Sequence, residues 1–211
     1  MGLIKDIKAV KSKDPAAPSC VGIFFLYPGI HALLWHRVAH VLWKVHIKFL
    51  ARLIAQITRM LTHIEIHPAA EIGEGLFIDH GCGIVIGETT VIGNNCMLYQ
   101  GCTLGGTGKD VGKRHPTLKD KVMVGCGAKV LGPCVIGNNV KVAANAVVLS
   151  DLPDNCTAVG VPAKVVKIDG QRVEDIDQIH IPDPIQQEIC RLQDEIEALK
   201  KQIMEIGKQG Y

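Results

Sequence analysis

Between residues 63 and 168 an aliphatic residue recurs every six positions. A first run places Ile at 66, 72, 78 and 84, and a second carries Ile86, Ile92, Leu98 and Leu104. A third carries Leu118, Val124, Val130, Ile136, Val142 and Val148. A helix face repeats near 3.6 residues and a half-buried strand repeats at two, so a six-residue beat fits neither. It predicts short units that cannot bury their own apolar face and are stable only when stacked. Each hexapeptide reads as a short strand followed by a tight corner, with the aliphatic side chain pointing inward. Glycine often follows that residue, as in Ile72-Gly73, Ile86-Gly87 and Val124-Gly125, and Asn-Asn stands at 94–95 and 138–139. These residues are expected to supply corners of positive φ. A β-sandwich would instead show period-two alternation with turns every ~8–12 residues. The two-residue slip from Ile84 to Ile86 reads as a local bulge. Residues 105–117 break the period altogether, and such an excursion loop on a rigid scaffold is a common carrier of function.

The flanks differ from this middle segment. Residues 1–62 read as helical, with an apolar pattern from Leu33 through Val38, Val41, Val45, Phe49, Leu53 and Ile57 to Leu61 at gaps dominated by three and four. The other face carries Arg37, Lys44, Lys48, Arg52 and Arg59, and Pro28 suits a helix start. Residues 169–211 form a linker marked by Pro182 and Pro184, then a seam of Ile185, Ile189, Leu192, Ile196, Leu199, Ile203 and Ile206. That alternating four-three spacing predicts a coiled-coil helix, with Glu195 and Lys200 placed for an interchain pair. The fold class is therefore α+β, in three segments: 1–62 helical, 63–168 repetitive, 169–211 linker and coiled coil.

Composition removes several functions. The net charge is +2 and aromatic residues make up 4% of the chain, which argues against nucleic-acid partners. Residues 16–36 lack Asp, Glu, Lys and Arg, but Pro18, Pro28, Gly29 and His31 interrupt them, and no membrane span is expected. Charged Lys5, Asp6, Lys8 and Lys11 leave no secretory apolar stretch. The eight cysteines form no C-x-x-C pair and several stand at small-residue repeat positions. They read as buried thiols of a reducing cytoplasm. Gly105 to Lys109 fails as a nucleotide P-loop, because Thr103 and Asp110 stand where glycine and serine or threonine are required.

Residues 14–168 resemble the serine acetyltransferase family of hexapeptide-repeat acyltransferases. The strings that carry the likeness are Glu65-Ile66-His67-Pro68-Ala69-Ala70, Asp79-His80-Gly81, Gly87-Glu88-Thr89, Leu104-Gly105-Gly106-Thr107-Gly108-Lys109, Arg114-His115-Pro116 and Gly160-Val161-Pro162-Ala163-Lys164. Asp14-Pro15-Ala16 and Tyr27-Pro28-Gly29 match as well. The resemblance implies a left-handed parallel β-helix and transfer of acetyl from acetyl-CoA to L-serine, in the first step of cysteine biosynthesis from serine. It places the catalytic base at His80. The family's orienting aspartate falls where this chain has Glu65. It assigns Asp14, Asp79, Arg114 and His115 to the serine subsite. Gly106, Thr107, Cys126, Ala144 and Lys164 fall to coenzyme A, and no metal is implied. The chemistry is coherent: a hydroxyl attacking a thioester needs a base of near-neutral pKa. Carboxylates suit the substrate ammonium and a guanidinium suits its carboxylate.

In longer members of the family a larger helical domain joins two trimers; the helical segment here is short, so the resemblance implies a trimer rather than a hexamer. The terminal Gly210-Tyr211 departs from the isoleucine that family members insert into O-acetylserine sulfhydrylase, so that complex is not expected. Three other readings stand beside this one: another acceptor such as a sugar or homoserine, a zinc hydratase needing three convergent histidines, and a non-enzymatic trimeric scaffold. Asp14 and Arg114 favour an amino-acid acceptor, and His80 and His115 lack the close histidine pair that zinc requires.

Overall fold

A computed structural model describes residues 2–108, 111–172 and Ile196. The chain divides into two units, residues 1–173 and 174–211. The coiled-coil seam lies outside the described residues except for Ile196, which is helical.

Four helices open the first unit: α1 Gly2–Lys13, α2 Cys20–Leu26, α3 Pro28–Lys44 and α4 Lys48–Thr62. Ser19 caps α2 by accepting from the Gly22 N–H, and Pro28 occupies the first turn of α3. The helical pattern of the sequence is thus two helices, parted at His46, whose φ is +65°. Their buried face differs from the apolar stripe. Ile30, Ala32, Leu33, His36 and Ala39 of α3 turn inward, as do Ala51, Thr58 and Thr62 of α4. The buried positions of α4 are alanine and threonine alone. The bulky Val38, Val41, Val45, Phe49, Leu53, Ile57 and Leu61 are left exposed.

From Ile64 the chain winds as a left-handed parallel β-helix of about five coils. The first coil is β1 Ile64–Ile66, β2 Glu71–Ile72 and β3 Phe77–Asp79. The second is β4 Ile84–Ile86, β5 Val91–Ile92 and β6 Met97–Tyr99. The third is β7 Thr103–Gly105, β8 Thr117–Leu118 and β9 Met123–Val124, and the fourth β10 Lys129–Leu131, β11 Val135–Ile136 and β12 Lys141–Val142. The last holds β13 Val147–Val148, a bridge at Leu152 and β14 Cys156–Val159. An antiparallel ribbon, β15 Lys164–Ile168 and β16 Gln171–Arg172, closes the end.

Strands at equivalent places pair in parallel, giving three sheets that are the faces of a prism. In one face Ile66 aligns with Ile86, Ile86 with Leu104, Leu104 with Val130 and Val130 with Val148. These side chains are buried and form one continuous core. Between them a second set of small residues fills the corners: Ala70, Cys96, Cys102, Ala128, Cys134, Ala146 and Cys156, all buried. Cys96, Cys102, Cys134 and Cys156 are packing residues, whereas Cys20 and Cys82, also read as buried thiols, are exposed, and Cys126 is half-buried. Burial pushes the Cys96 and Cys102 thiols up to about 11.

Two local expectations change. Ile84 does not belong to the inward column of Ile86; it aligns with Ile64. Eight positions separate Ile78 from Ile86, where six separate Leu98 from Leu104. The slip is therefore an enlarged corner at residues 80–83, not a bulge within a strand. The glycines that follow aliphatic residues are needed for close coil approach, not for positive φ. A Cβ on Gly125 would meet the Ala144 nitrogen at 2.6 Å. Positive φ falls further along each corner, at Asn95, Asn139, Asn145 and Asn155.

The helices are fastened to the prism by α1. Asp6, fully buried, pairs with Arg37 at 2.5 Å and accepts from the Gly75 N–H at 2.8 Å. Val10, Ala17, Ile23, Ile30 and Phe77 make a second, smaller core beneath α1.

Three measurable outcomes arise from this packing. Leu98→Ala empties a fully buried position and should cost about 2–5 kcal/mol, read as a lowered denaturation midpoint. Cys96 and Cys102 should resist thiol reagents at pH 8 until the protein is unfolded. His36, buried beside His40 and Arg37, has its pKa pushed from 6.5 down to about 3, chiefly by burial. The unfolded chain then binds a proton that the fold refuses. Stability should fall as pH drops from about 6.5 toward 3, with a slope of at most ~1.4 kcal/mol per pH unit from this group. His36→Gln should flatten that slope in urea titrations at successive pH values.

Candidate active site

Each coil turns three corners, and the site residues sit on two of them. The corner that leads from the third face back to the first carries residues 80–83. It is stacked coil upon coil by the Gly101 N–H to the Cys82 carbonyl, Gly127 to Gln100 and Asn145 to Cys126. His80, Cys126 and Ala144 therefore lie along one edge of the prism. His80 has φ +59° and its side chain is 74% exposed, so the enlarged corner lifts the imidazole out of the core. A non-glycine residue in this region is uncommon, and histidine is among the few tolerated. Its Nε2 lies 3.8 Å from the Asp79 carboxylate.

Asp14 joins this edge from the turn after α1. It is close enough that His80 lowers its pKa, though the largest cause is a hydrogen bond from Tyr27. The Tyr27 phenol donates to Asp14 Oδ2 at 2.5 Å, and the Ala16 N–H donates to Oδ1 at 2.8 Å. The same bond pushes the Tyr27 pKa up to about 12. These contacts account for the Tyr27-Pro28-Gly29 string. Tyr27 holds Asp14, Pro28 starts α3, and Gly29 lets that helix touch β3, where a Cβ would meet the Ile78 carbonyl oxygen at 2.7 Å.

Arg114 and His115 lie on a different edge, at the corner joining the first and second faces. Both are at the end of the excursion loop and bind the turn after β4. Arg114 Nη2 donates to Glu88 at 2.8 Å, and Thr89 contacts both residues. Gly106 is on this edge too, its Cα facing the Arg114 backbone, and Thr107 approaches Gly132 from the same loop. His115 is buried, which pushes its pKa down, with Arg114 adding to the effect. The predicted residues thus form two groups. Asp14, Asp79, His80, Cys126 and Ala144 share one edge; Gly106, Thr107, Arg114 and His115 share another. Lys164 is exposed at the start of β15, beyond the last coil.

Glu65 stands on the first face, in β1. It points outward from β1 and its carboxylate pairs with Arg59 at 3.2 Å. His67 packs its ring edge-on against Trp43, and its Nδ1 accepts from the Ala69 N–H, a structural role. Among the described residues no cluster of three or more histidine, cysteine or acidic side chains could hold a metal ion. None of the described helices is long and apolar enough to cross a membrane. The sequence pattern assigns no role to Tyr27, Glu88 or Thr89, although each stands inside a string that carries the resemblance.

An exposed imidazole on the edge of a hexapeptide β-helix is the arrangement of an acyltransferase, and the chain is one. Its residues 115–150 match the bacterial transferase hexapeptide model, described as six repeats. Serine acetyltransferase of Bacillus subtilis strain 168 is 49% identical over 209 residues, covering 95% of this chain and 96% of that protein. The enzyme of Staphylococcus aureus strain N315 is 51% identical over 196 residues, 92% of each. Soybean serine acetyltransferase complexed with serine superposes with a TM-score of 0.77 at 44% identity, covering 78% of this chain and 68% of that one. A serine acetyltransferase complex with CoA superposes with a TM-score of 0.74 at 42% identity over 78% of this chain and 68% of that one. The chain belongs to the serine acetyltransferase family.

Removing the phenol tests the Asp14 geometry. In Tyr27→Phe the Asp14 carboxyl loses its strongest lowering influence and should titrate at higher pH than in the wild type. Carboxyl carbon NMR reads the shift directly.

Proposed function

We propose that the protein transfers the acetyl group of acetyl-CoA to the hydroxyl of L-serine, releasing O-acetyl-L-serine and CoA, and so opens cysteine biosynthesis in the cytoplasm. The observation that carries this reading is His80, presented to solvent between Asp79 and Asp14 on an edge of the β-helix. The serine-bound and CoA-bound relatives support the two substrates.

His80 takes the hydroxyl proton as the serine oxygen attacks the thioester carbonyl. The new C–O bond forms, the tetrahedral adduct collapses, and the C–S bond breaks. The imidazolium returns its proton to the departing thiolate. Asp14 and Asp79 hold the substrate ammonium, and Arg114 with His115 holds its carboxylate. The pantetheine arm runs along the edge marked by Cys126 and Ala144, with Gly106 and Thr107 opposite and Lys164 toward the phosphates. Glu65 orients His80 in this scheme. Its present pair with Arg59 is exposed on both sides, and such a pair costs little to exchange.

The two groups of site residues occupy separate edges of one prism. The reading that unites them is a homotrimer in which the His80 edge of one subunit faces the Arg114 edge of the next. The exposed apolar side chains of α3 and α4 support association, because monomers seldom leave so many together in water. A hexamer is not required.

Steady-state kinetics test the chemistry. His80→Ala should lower kcat by about 10²–10⁴, while Arg114→Ala should mainly raise KM for serine. Co-refolding the two variants, assayed at serine far below the raised KM where each alone is nearly silent, tests the shared site. Random mixing should restore about a quarter of wild-type activity, since one interface in four then holds both intact edges. No recovery would place the whole site within one chain.

A further inference from the structure

We propose that Thr89 is a positioning residue that sets the polarity of His115, so that this second imidazole offers the substrate an N–H and never a lone pair. The inference rests on the reading of His115 as a substrate residue. The geometry is specific. The Thr89 backbone N–H points at His115 Nδ1 at 3.2 Å, and Thr89 Oγ1 lies 3.0 Å from the same nitrogen. That hydroxyl oxygen also accepts the backbone N–H groups of Arg114 and His115, each at 3.0 Å.

A backbone amide can only donate, so Nδ1 must carry a lone pair. In a neutral imidazole the proton then resides on Nε2. The two amides that reach Oγ1 fill its accepting positions, which leaves the hydroxyl proton free to turn to Nδ1 as well. Protonating Nδ1 would break both contacts and set an N–H against an N–H. Burial favours the neutral ring too. The charged and titratable groups around it are Arg114, Lys113 and Glu88, with His67 nearby.

The rest of the Gly87-Glu88-Thr89 turn completes the cradle. The Cδ2–Nε2 edge of His115 lies over Gly87, where a Cβ would come within 2.0 Å of the ring. Even alanine would displace the imidazole. Glu88 meanwhile holds the Arg114 guanidinium. The turn fixes both side chains that face a substrate oxygen, and it separates the labour of the two histidines. His80 accepts a proton. His115 donates a hydrogen bond to an anionic oxygen and cannot act as a base.

Long-range proton–nitrogen spectra of the full-length protein, labelled at histidine nitrogen and assigned with His115→Gln, test the polarity. At pH 7.5 Nδ1 should resonate as a pyridine-type nitrogen and Nε2 as a pyrrole-type one. The reverse pattern, or a doubly protonated ring, overturns the inference. Kinetics supply the second arm. Thr89→Val should lower kcat/KM for serine about tenfold, and Thr89→Ser should return it to within about threefold. His115→Gln, whose amide nitrogen overlays Nε2, should retain more activity than His115→Asn, whose amide nitrogen overlays Nδ1. A valine variant equal to wild type, or asparagine outperforming glutamine, overturns it. If both His115 variants match wild type, the substrate reading of His115 falls. If they lose activity while the spectra show the proton on Nδ1, the polarity inference alone falls.

Discussion

The structure depends on one constraint: each coil must present its inward aliphatic residue directly above that of the coil before. Ile66, Ile86, Leu104, Val130 and Val148 meet it on the first face. Their burial supplies the driving force, and the parallel backbone ladder supplies the register. A coil has no freedom to drift, because a shift of one residue would turn its apolar side chain to water. Extra residues can enter only at corners. The two largest additions in the described coils are the corner holding His80 and the loop ending in Arg114 and His115. The candidate site residues sit where the repeat is allowed to fail.

That rule also explains the polar organisation. Strand positions alternate between core and solvent and offer little room for a pocket. Corners bring backbone amides and short polar side chains together. Thr89 can collect two amides and a ring nitrogen because it stands on a turn whose own N–H is not spent in the ladder. Asp14 comes from outside the prism and is placed by α1, which is itself tied down through Asp6, Arg37 and Gly75. The helical segment therefore does more than cover the first coil: it carries one carboxylate to the exposed imidazole.

Much of this is legible in the order of residues. A six-residue period has few physical solutions, so the solenoid, its core residues and the buried cysteines come from counting. Ile84 misleads because identity of residue type masks a change of column. The glycines mislead because a close approach and a positive φ leave the same trace in sequence. The apolar stripe of residues 33–61 reads as one face of one helix, yet α3 and α4 leave most of that stripe exposed and bury Ala32, Ala39 and Ala51 instead. Small residues carry no hydropathy signal strong enough to mark an interface. His80, Asp79, Arg114 and His115 are nominated as site residues through their strings. Tyr27, Glu88 and Thr89 are not, because their part depends on neighbours distant along the chain, and spacing alone cannot reveal a hydrogen bond between positions 13 or 26 residues apart.

The separation of the two candidate groups on different edges has a thermodynamic consequence under the proposed shared site. On that proposal a subunit is wholly folded and still possesses no complete site, so catalytic competence would belong to the association equilibrium and not to the folding equilibrium. Dilution, or any change that weakens contact between edges, would silence turnover in molecules whose helices and coils remain intact. For such a protein, concentration is itself a determinant of specific activity.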